Sequence, residues 1–580
     1  MYFRYYLVYA NDPQLVGTTP IPEYFRKHHG DREQCGDFYV GDLPFPHWLA
    51  ADLTGQIRNA LQDLPPKGDH RRTLERLVRR RLSRWGRHAD FSWERLGREP
   101  RADTGESGAL LDAVSGRILL ASEIGRMLKF KGSSTELEET LAVLAATGRL
   151  DCFPAIEIMH FGRAICRRCG ETHIEREECW FCGDPACWVC PSCRQFGLAT
   201  GCRSLYALAD VRPRSAPAIW KPVLPFSLTP AQQKAAASLT SFLHDGSSGE
   251  FLLWAVCGAG KTEVIMSGLA ESLGAGARIL IATPRRDVAA ELSLRFTSAF
   301  PDMPTSVHFG GRHEDQTGGP MVTIATTHQC LRFYQAFDLV VLDEVDAFPY
   351  QGNRMLYMAV ERARKPLGSL VFLTATPPSA LTERAQAGTL PYARLPVRPH
   401  GYPLPVPELI VLGLDDAGGV WRPPDRLAQI LTTCDSGRPW LIFAPTVDLV
   451  RRLGGSFAAW ALARQCRAAY IYAADPERDA KRKAFAEGRL EYLVTTTILE
   501  RGLTLGAINV CVLYADREEI FDTASLIQIA GRAGRRVTDP RGHVVFVGQC
   551  LTRAMRMSRA EIISANEEAV RNGFIKNPVM

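Results

Sequence analysis

A chain of 580 residues with 46% apolar and 23% charged side chains can bury several cores, and its length suggests three or four domains. No apolar run reaches the ~18 residues needed to cross a bilayer, and the opening MYFRYYLVYANDPQ lacks the order of a signal peptide, so a cytoplasmic chain is expected. The net charge is only +6, so any nucleic-acid site has to be a local patch.

Residues 1–155 carry no nameable motif and are expected to form an N-terminal accessory α+β region. Within the Arg-rich segment 71–87, Leu74, Leu77, Val78, Leu82 and Trp85 fall at helical spacing. This is either a helix packed on its apolar stripe with a solvated basic face, or a phosphate-contacting surface presenting Arg79, Arg80 and Arg81.

Eight of the 16 cysteines follow within residues 156–212, in the pattern C-x2-C-x9-C-x2-C-x4-C-x2-C-x2-C-x8-C. They are Cys166, Cys169, Cys179, Cys182, Cys187, Cys190, Cys193 and Cys202. Repeated C-x2-C knuckles suit tetrahedral zinc thiolate coordination, and a reducing compartment favours metal over disulfides. Eight ligands can serve one or two ions. No His/Glu constellation able to activate water accompanies them, which points to a structural role.

The Pro-rich stretch VRPRSAPAIWKPVLP marks a boundary near 212–225. Beyond it, short β-rich runs alternate with helical stretches: FLLWAV, ILIATP, MVTIATT, DLVVLDE and LVFLTAT, then PWLIFAP, EYLVTTT, VCVLYAD and HVVFVGQ. This alternation predicts parallel sheets with crossover helices. The expected fold class is α/β, two tandem RecA-like domains at 213–398 and 399–580, behind the cysteine module.

The segment AVCGAGKTE, residues 255–263, fits helicase motif I, with Ala255 where the stricter phosphate-loop pattern wants glycine. The nucleotide-binding set expected here is Gly258, Ala259, Gly260, Lys261, Thr262 and Glu263. Glycines allow backbone N–H groups to converge on phosphate oxygens, Lys261 reaches the β/γ-phosphates, and the Thr262 hydroxyl binds magnesium. Asp343 and Glu344 end the run DLVVL; Asp343 is assigned to the metal and Glu344 to water activation. In LTPAQQ, Gln232 either reads the adenine edge or belongs to a Thr-capped helix start. QIAGRAGR, residues 528–535, fits motif VI, placing Gln528 on the nucleotide, Arg532 on the γ-phosphate and Arg535 as the arginine finger. TAT at 374–376 fits motif III, TTTILERG at 495–502 motif V, and ATPRRDVAAEL and TTHQCLR motif Ia and the segment beside it. Their hydroxyls, amides and arginines suit a sugar-phosphate backbone read without base specificity.

WAVCGAGKTE, IATPRRDV, TTHQCLR, DEVDAFPY, TATPP, TTTILERG and QIAGRAGR together resemble the ComFA family of late competence proteins over roughly residues 155–580. DEVDAFPY discriminates most, because Phe348-Pro349-Tyr350 is not demanded by generic ATP chemistry. The resemblance implies ATP hydrolysis stimulated by single-stranded DNA, in a motor at the inner face of the membrane that pulls transforming DNA through the ComEC channel with ComFC and DprA as partners. The family's four-cysteine zinc motif matches Cys166, Cys169, Cys190 and Cys193. Cys179, Cys182, Cys187 and Cys202 are additional and suggest a second zinc, as in the more distantly similar PriA helicases. Two rival readings remain: a PriA-like replication-restart helicase, and a zinc-binding DNA adaptor with a silent ATPase. The intact Lys261, Glu344 and Arg535 argue against the adaptor.

Overall fold

The structure is a computed structural model. It describes residues 6–9, 17–19, 39–41, 53, 57, 60, 71–84, 93–95, 107–146, 148–158, 163–179, 181–182, 184–209, 219–245, 248–310, 312–313, 320–414, 421–433, 437–497, 507–535 and 539–575. Most of motif V (498–502), part of the Pro-rich linker, Trp85, and the Arg81 and Leu82 side chains lie outside the described residues. The chain forms two compact units: Met1–Arg214 with Ala325–Val340 and Gly352–Gly368, and Ser215–Ile324 with Val341–Gln351 and Ser369–Met580.

In the first unit, strands Tyr6–Tyr9, Gly17–Thr19, Tyr39–Gly41 and Trp93–Arg95 form an antiparallel sheet. The basic segment is a helix, Arg71–Arg84, with Leu74 and Val78 fully buried while Arg72, Arg76, Arg79 and Arg80 stay exposed. That matches an apolar stripe under a solvated face. A second antiparallel sheet places Ser204–Leu208 between Arg117–Leu120 and Asp151–Pro154. Strand 204–208 follows Cys202, the last module cysteine, and the other two precede Cys166, the first. The cysteine module is therefore an excursion from one small domain. Helices Ser107–Val114, Ala121–Leu128 and Ser134–Ala146 cover this sheet through Leu110, Ile124, Leu141 and Tyr206.

The first large sheet contains β1 (Glu250–Ala255), β2 (Ile279–Thr283), β3 (Thr305–Phe309), β4 (Arg312–His313), β5 (Val322–Thr326), β6 (Phe337–Asp343), β7 (Arg364–Thr374) and β8 (Tyr392–Leu395), in the order β4-β3-β5-β2-β6-β7-β1-β8. The phosphate-loop strand β1 runs parallel to β7 and β8. The second sheet contains β9 (Glu408–Val411), β10 (Trp440–Phe443), β11 (Ala468–Ile471), β12 (Tyr492–Thr495), β13 (Asn509–Leu513) and β14 (Val544–Gly548), in the order β9-β14-β13-β10-β12-β11. All five of its pairings are parallel. Two RecA-like α/β domains are thus present.

Period-two alternation explains the layering of the second sheet. Leu441, Phe443, Leu493, Val510, Val512 and Phe546 enter one core, with residues of helices Thr523–Ala530 and Arg553–Arg571. Trp440, Ile442, Val494, Cys511, Val545 and Val547 enter the other, against helices Asp425–Thr433 and Val447–Leu462. Both faces are covered, so the strands read as continuous apolar runs rather than as alternating ones.

Helix Val447–Leu462 starts at Thr446, whose hydroxyl accepts from Leu449 N–H at 3.2 Å. It lies so close to β11 that a Cβ on Gly454 would stand 2.4 Å from the Tyr470 ring and 2.5 Å from its Cβ. The base of a side chain cannot swing aside. Gly454→Ala should therefore cost about 1–3 kcal/mol despite alanine's better helix propensity. Thermal unfolding would register this as a lowered midpoint; an unchanged or raised midpoint would contradict the packing.

Candidate nucleotide site and metal centres

β1 ends at Ala255, and the chain reverses through Gly258 (φ 77°) and Gly260 (φ 83°) into helix Lys261–Gly268. Both glycines occupy the left-handed region, which a side chain enters only with strain. The helix N-terminus and its unpaired amides thus face an open loop suited to phosphate. Lys261 Nζ lies 3.6 Å from Asp343 Oδ1. Burial opposes the lysine charge, yet Asp343, Glu344 and Asp346 outweigh it and hold its pKa above the ordinary value. Burial, helped by Glu344, raises the Asp343 carboxyl against the pull of Lys261.

Asp343 is the last residue of β6. Glu344 turns away from it at φ 57°, a left-handed conformation that costs a non-glycine residue roughly 1–2 kcal/mol. Its N–H is shared between Leu373 O (3.0 Å) and Asp343 Oδ1 (3.0 Å). Strand β7 therefore fixes the turn that aims the carboxylate. Asp346 accepts from Thr374 Oγ1 at 2.6 Å and Thr376 Oγ1 at 2.7 Å, and Thr376 N–H donates to Thr374 Oγ1 at 2.9 Å. The TAT segment is thereby tied to the acidic turn by a closed network.

The 528–535 element meets the phosphate loop directly. Cys257 Sγ donates to Gln528 Oε1 at 3.0 Å, and a Cβ on Gly531 would stand 2.4 Å from Cys257 Cβ. Arg535 Nε donates to Gly531 O at 2.9 Å, beside the position a Gly258 Cβ would take (3.8 Å). Burial lowers the Arg535 pKa. Arg532 is buried.

Gln232 is 1% exposed. Its Nε2 donates to Ala259 O at 3.0 Å, its Oε1 accepts from Thr229 N–H at 3.0 Å, and the Thr229 hydroxyl accepts from its N–H at 3.4 Å. The side chain thus closes a capping box and braces the phosphate loop. Thr262 Oγ1 accepts from Arg295 Nη1 at 3.2 Å, and Arg295 also pairs with Glu263.

The eight module cysteines gather into two groups, Cys166/Cys169/Cys190/Cys193 and Cys179/Cys182/Cys187/Cys202, and within each group the sulfurs lie within 4.8 Å of one another. The sulfurs of Cys169 and Cys190 are 3.5 Å apart, those of Cys179 and Cys202 3.6 Å, and those of Cys166 and Cys193 3.8 Å. A tetrahedral ion with metal–sulfur bonds of about 2.3 Å sets its sulfurs about 3.8 Å apart, so the donor set and spacing fit zinc. Beside the first group, Arg168 is fully buried. It donates to Glu123 Oε1 (2.8 Å) and to Phe196 O (2.8 Å). Arg362 donates to the Arg168 carbonyl, to Arg167 O (3.2 Å) and to Leu331 O (2.8 Å). Burial, then Arg168, pushes Arg362 down to about 10. Phe196 stacks on His328 at 5.9 Å. TTHQCLR is thus joined to the first cysteine group by an arginine and an aromatic pair.

The DEAD/DEAH box helicase model matches residues 229–384, and the helicase conserved C-terminal domain model matches residues 423–537. Over 420 residues the chain is 36% identical to the competence protein ComFA of Bacillus subtilis, covering 70% of this chain and 87% of that protein. The chain belongs to the ComFA family. The ComFA protein of Streptococcus pneumoniae is 34% identical over 417 residues, covering 70% and 91% of the two chains. Outside the ComFA family, the ATP-dependent DNA helicase RecG of Mycobacterium leprae is 25% identical over 356 residues, covering 54% and 46%. The engine is an ATP-hydrolysing one of helicase superfamily 2.

Three features of this ComFA-family chain escape sequence reading. Asp346 follows the Asp343–Glu344 pair and carried no assigned role in the sequence. Arg398, in no motif, is buried between the phosphate loop and the 528–535 element. The Arg168–Glu123 pair links positions 45 residues apart. Around Glu123 the sequence ASEIGRML mixes polar, charged and apolar residues, so nothing local marks this carboxylate as enclosed. Removing it in Glu123→Ala leaves a buried guanidinium without its counter-charge, a loss of about 3–5 kcal/mol. Urea unfolding should show an earlier transition; a midpoint equal to the parent's would refute the pairing.

Proposed function

We propose that this chain is an ATP-driven translocase on single-stranded DNA that serves the uptake of transforming DNA. The observation that carries this reading is the meeting of the phosphate loop, the Asp343–Glu344 turn and the Gln528–Arg535 element around one half-buried charge cluster, in a chain of the ComFA family. Lys261 binds the β/γ-phosphates, with Gly258, Ala259 and Gly260 offering backbone amides. Thr262 and Asp343 would hold magnesium, which when bound offsets phosphate charge. Glu344 takes the proton from the attacking water as its oxygen bonds to the γ-phosphorus and the bond to the β-phosphate oxygen breaks. Arg535, with Arg532, meets the charge that develops on the departing γ-phosphoryl group. Gln232 and Gln528 position the loop, and Gln232 Nε2 is already engaged there.

Zinc in both cysteine groups would pin the module that carries Phe196 and Arg168 against the TTHQCLR segment. The ComFA relationship supports ComFC-like and DprA-like partners, a ComEC-type channel and a cytoplasmic site peripheral to the membrane. Among the described residues no helix is long and apolar enough to cross a membrane. The similarity to RecG favours a second reading, duplex separation, which strand displacement on forked DNA would reveal.

Purified protein should hydrolyse ATP faster with single-stranded DNA than without it. Glu344→Gln should lose about 100-fold or more in kcat, the scale of a general base, and Lys261→Ala should be inactive. Hydrolysis surviving in both variants would displace the site. Metal analysis of the same preparation should find two zinc ions per chain; fewer than one would dismiss the zinc assignment.

A further inference from the structure

Arg398 lies in the segment that joins the two large sheets. It is 2% exposed, yet its hydrogen bonds to described residues all go to carbonyl oxygens. Nε donates to Cys257 O in the phosphate loop at 3.0 Å. Nη1 donates to Ala533 O and Gly534 O, each at 2.6 Å, and Nη2 to Gly531 O at 2.8 Å. Four of the five guanidinium N–H groups are thereby spent, one on the first RecA-like domain and three on the arginine-bearing turn of the second. Burying a cation on carbonyl dipoles beside another cation is costly: burial, then Arg535, pushes Arg398 down to about 9. A leucine or methionine would fill such a space more cheaply.

What the guanidinium supplies is geometry. Its planar fork sets two loops at one fixed spacing, which a point-like ammonium cannot do. The neighbouring chain holds the same turn. Tyr402 N–H donates to His400 Nδ1 at 3.0 Å, so His400 Nε2 carries the hydrogen and donates to Gly534 O at 3.1 Å. Gly531, whose carbonyl Arg398 grips, also receives the Arg535 Nε donor.

We propose that Arg398 is a positioning residue that couples the phosphate loop to the arginine-bearing turn, so that Arg535 reaches the γ-phosphate only while the Arg398 side chain spans both loops. This rests on the ATPase reading above and adds the residue that sets closure. Arg398 does not itself contact substrate.

The test is steady-state ATP hydrolysis with and without single-stranded DNA for the full chain and for Arg398→Lys, Arg398→Met and Gly531→Ala. Gly531→Ala wedges a methyl into the same contact without removing a charge. Each variant should lose at least fivefold in kcat, with the KM for ATP and the affinity for a fluorescent ADP within threefold of the parent. Lysine should do no better than methionine. A smaller fall in kcat, a rescue by lysine, or a loss of nucleotide affinity matching the loss of kcat would overturn the proposal. Closure is also read without turnover, by hydrogen exchange of residues 528–535 on adding magnesium and a non-hydrolysable ATP analogue. Protection should appear in the parent and be absent from Arg398→Met; equal protection in both would overturn it. If the parent itself hydrolyses no ATP, the motor reading falls, and the exchange measurement alone decides the role of Arg398.

Discussion

Two loops from different sheets meet at a separation that leaves no room for a methyl group. Gly531 faces Cys257 so closely that any side chain would collide with the Cys257 Cβ. The arrangement of the nucleotide site follows from that approach. It brings Gln528 onto the Cys257 thiol and Arg535 alongside Gly258, and it puts the loop carbonyls within reach of one guanidinium. A phosphate-binding loop with lysine alone can hold nucleotide. Its ability to stabilise developing charge depends on a second cationic element brought to it dry and at fixed distance.

The same economy appears on the acidic side. The Lys261 charge is held by three carboxylates in one turn, and the turn is held by two threonine hydroxyls through Asp346. Any shift of the TAT segment moves Asp346, and with it the turn bearing Glu344. Backbone strain at Glu344 belongs to this design, since an extended conformation there would carry the carboxylate off along the strand.

Much of this is legible in the amino-acid order alone. The apolar runs FLLWAV, ILIATP, DLVVLDE and LVFLTAT land on β1, β2, β6 and β7, because a parallel strand buried on both faces writes itself as an uninterrupted apolar string. Edge strands β4, β8 and β9 carry charge and gave no such string. The motif residues stand out in the sequence because phosphate chemistry restricts residue type and spacing together. Arg398 and Glu123 do not, since their roles rest on bonds across 133 and 45 residues with backbone carbonyls and an arginine, and such bonds leave no local pattern. The grouping of the eight cysteines had the same character: C-x2-C spacing identifies knuckles without saying which knuckle shares an ion with which.

That grouping has a topological consequence. Along the chain, two ligands of one cluster are followed by three of the other, then by two of the first and one of the second. The ligand sets are interleaved, so neither cluster closes a self-contained loop. Cys187 and Cys190 are separated by two residues yet belong to different clusters, and strand Cys187–Val189 is the bar between them. A chain braced crosswise in this way folds as one unit. Loosening either centre slackens the path that the other depends on. It follows that a chain with only the first cluster would have to hold the span between Cys169 and Cys190 by some other means.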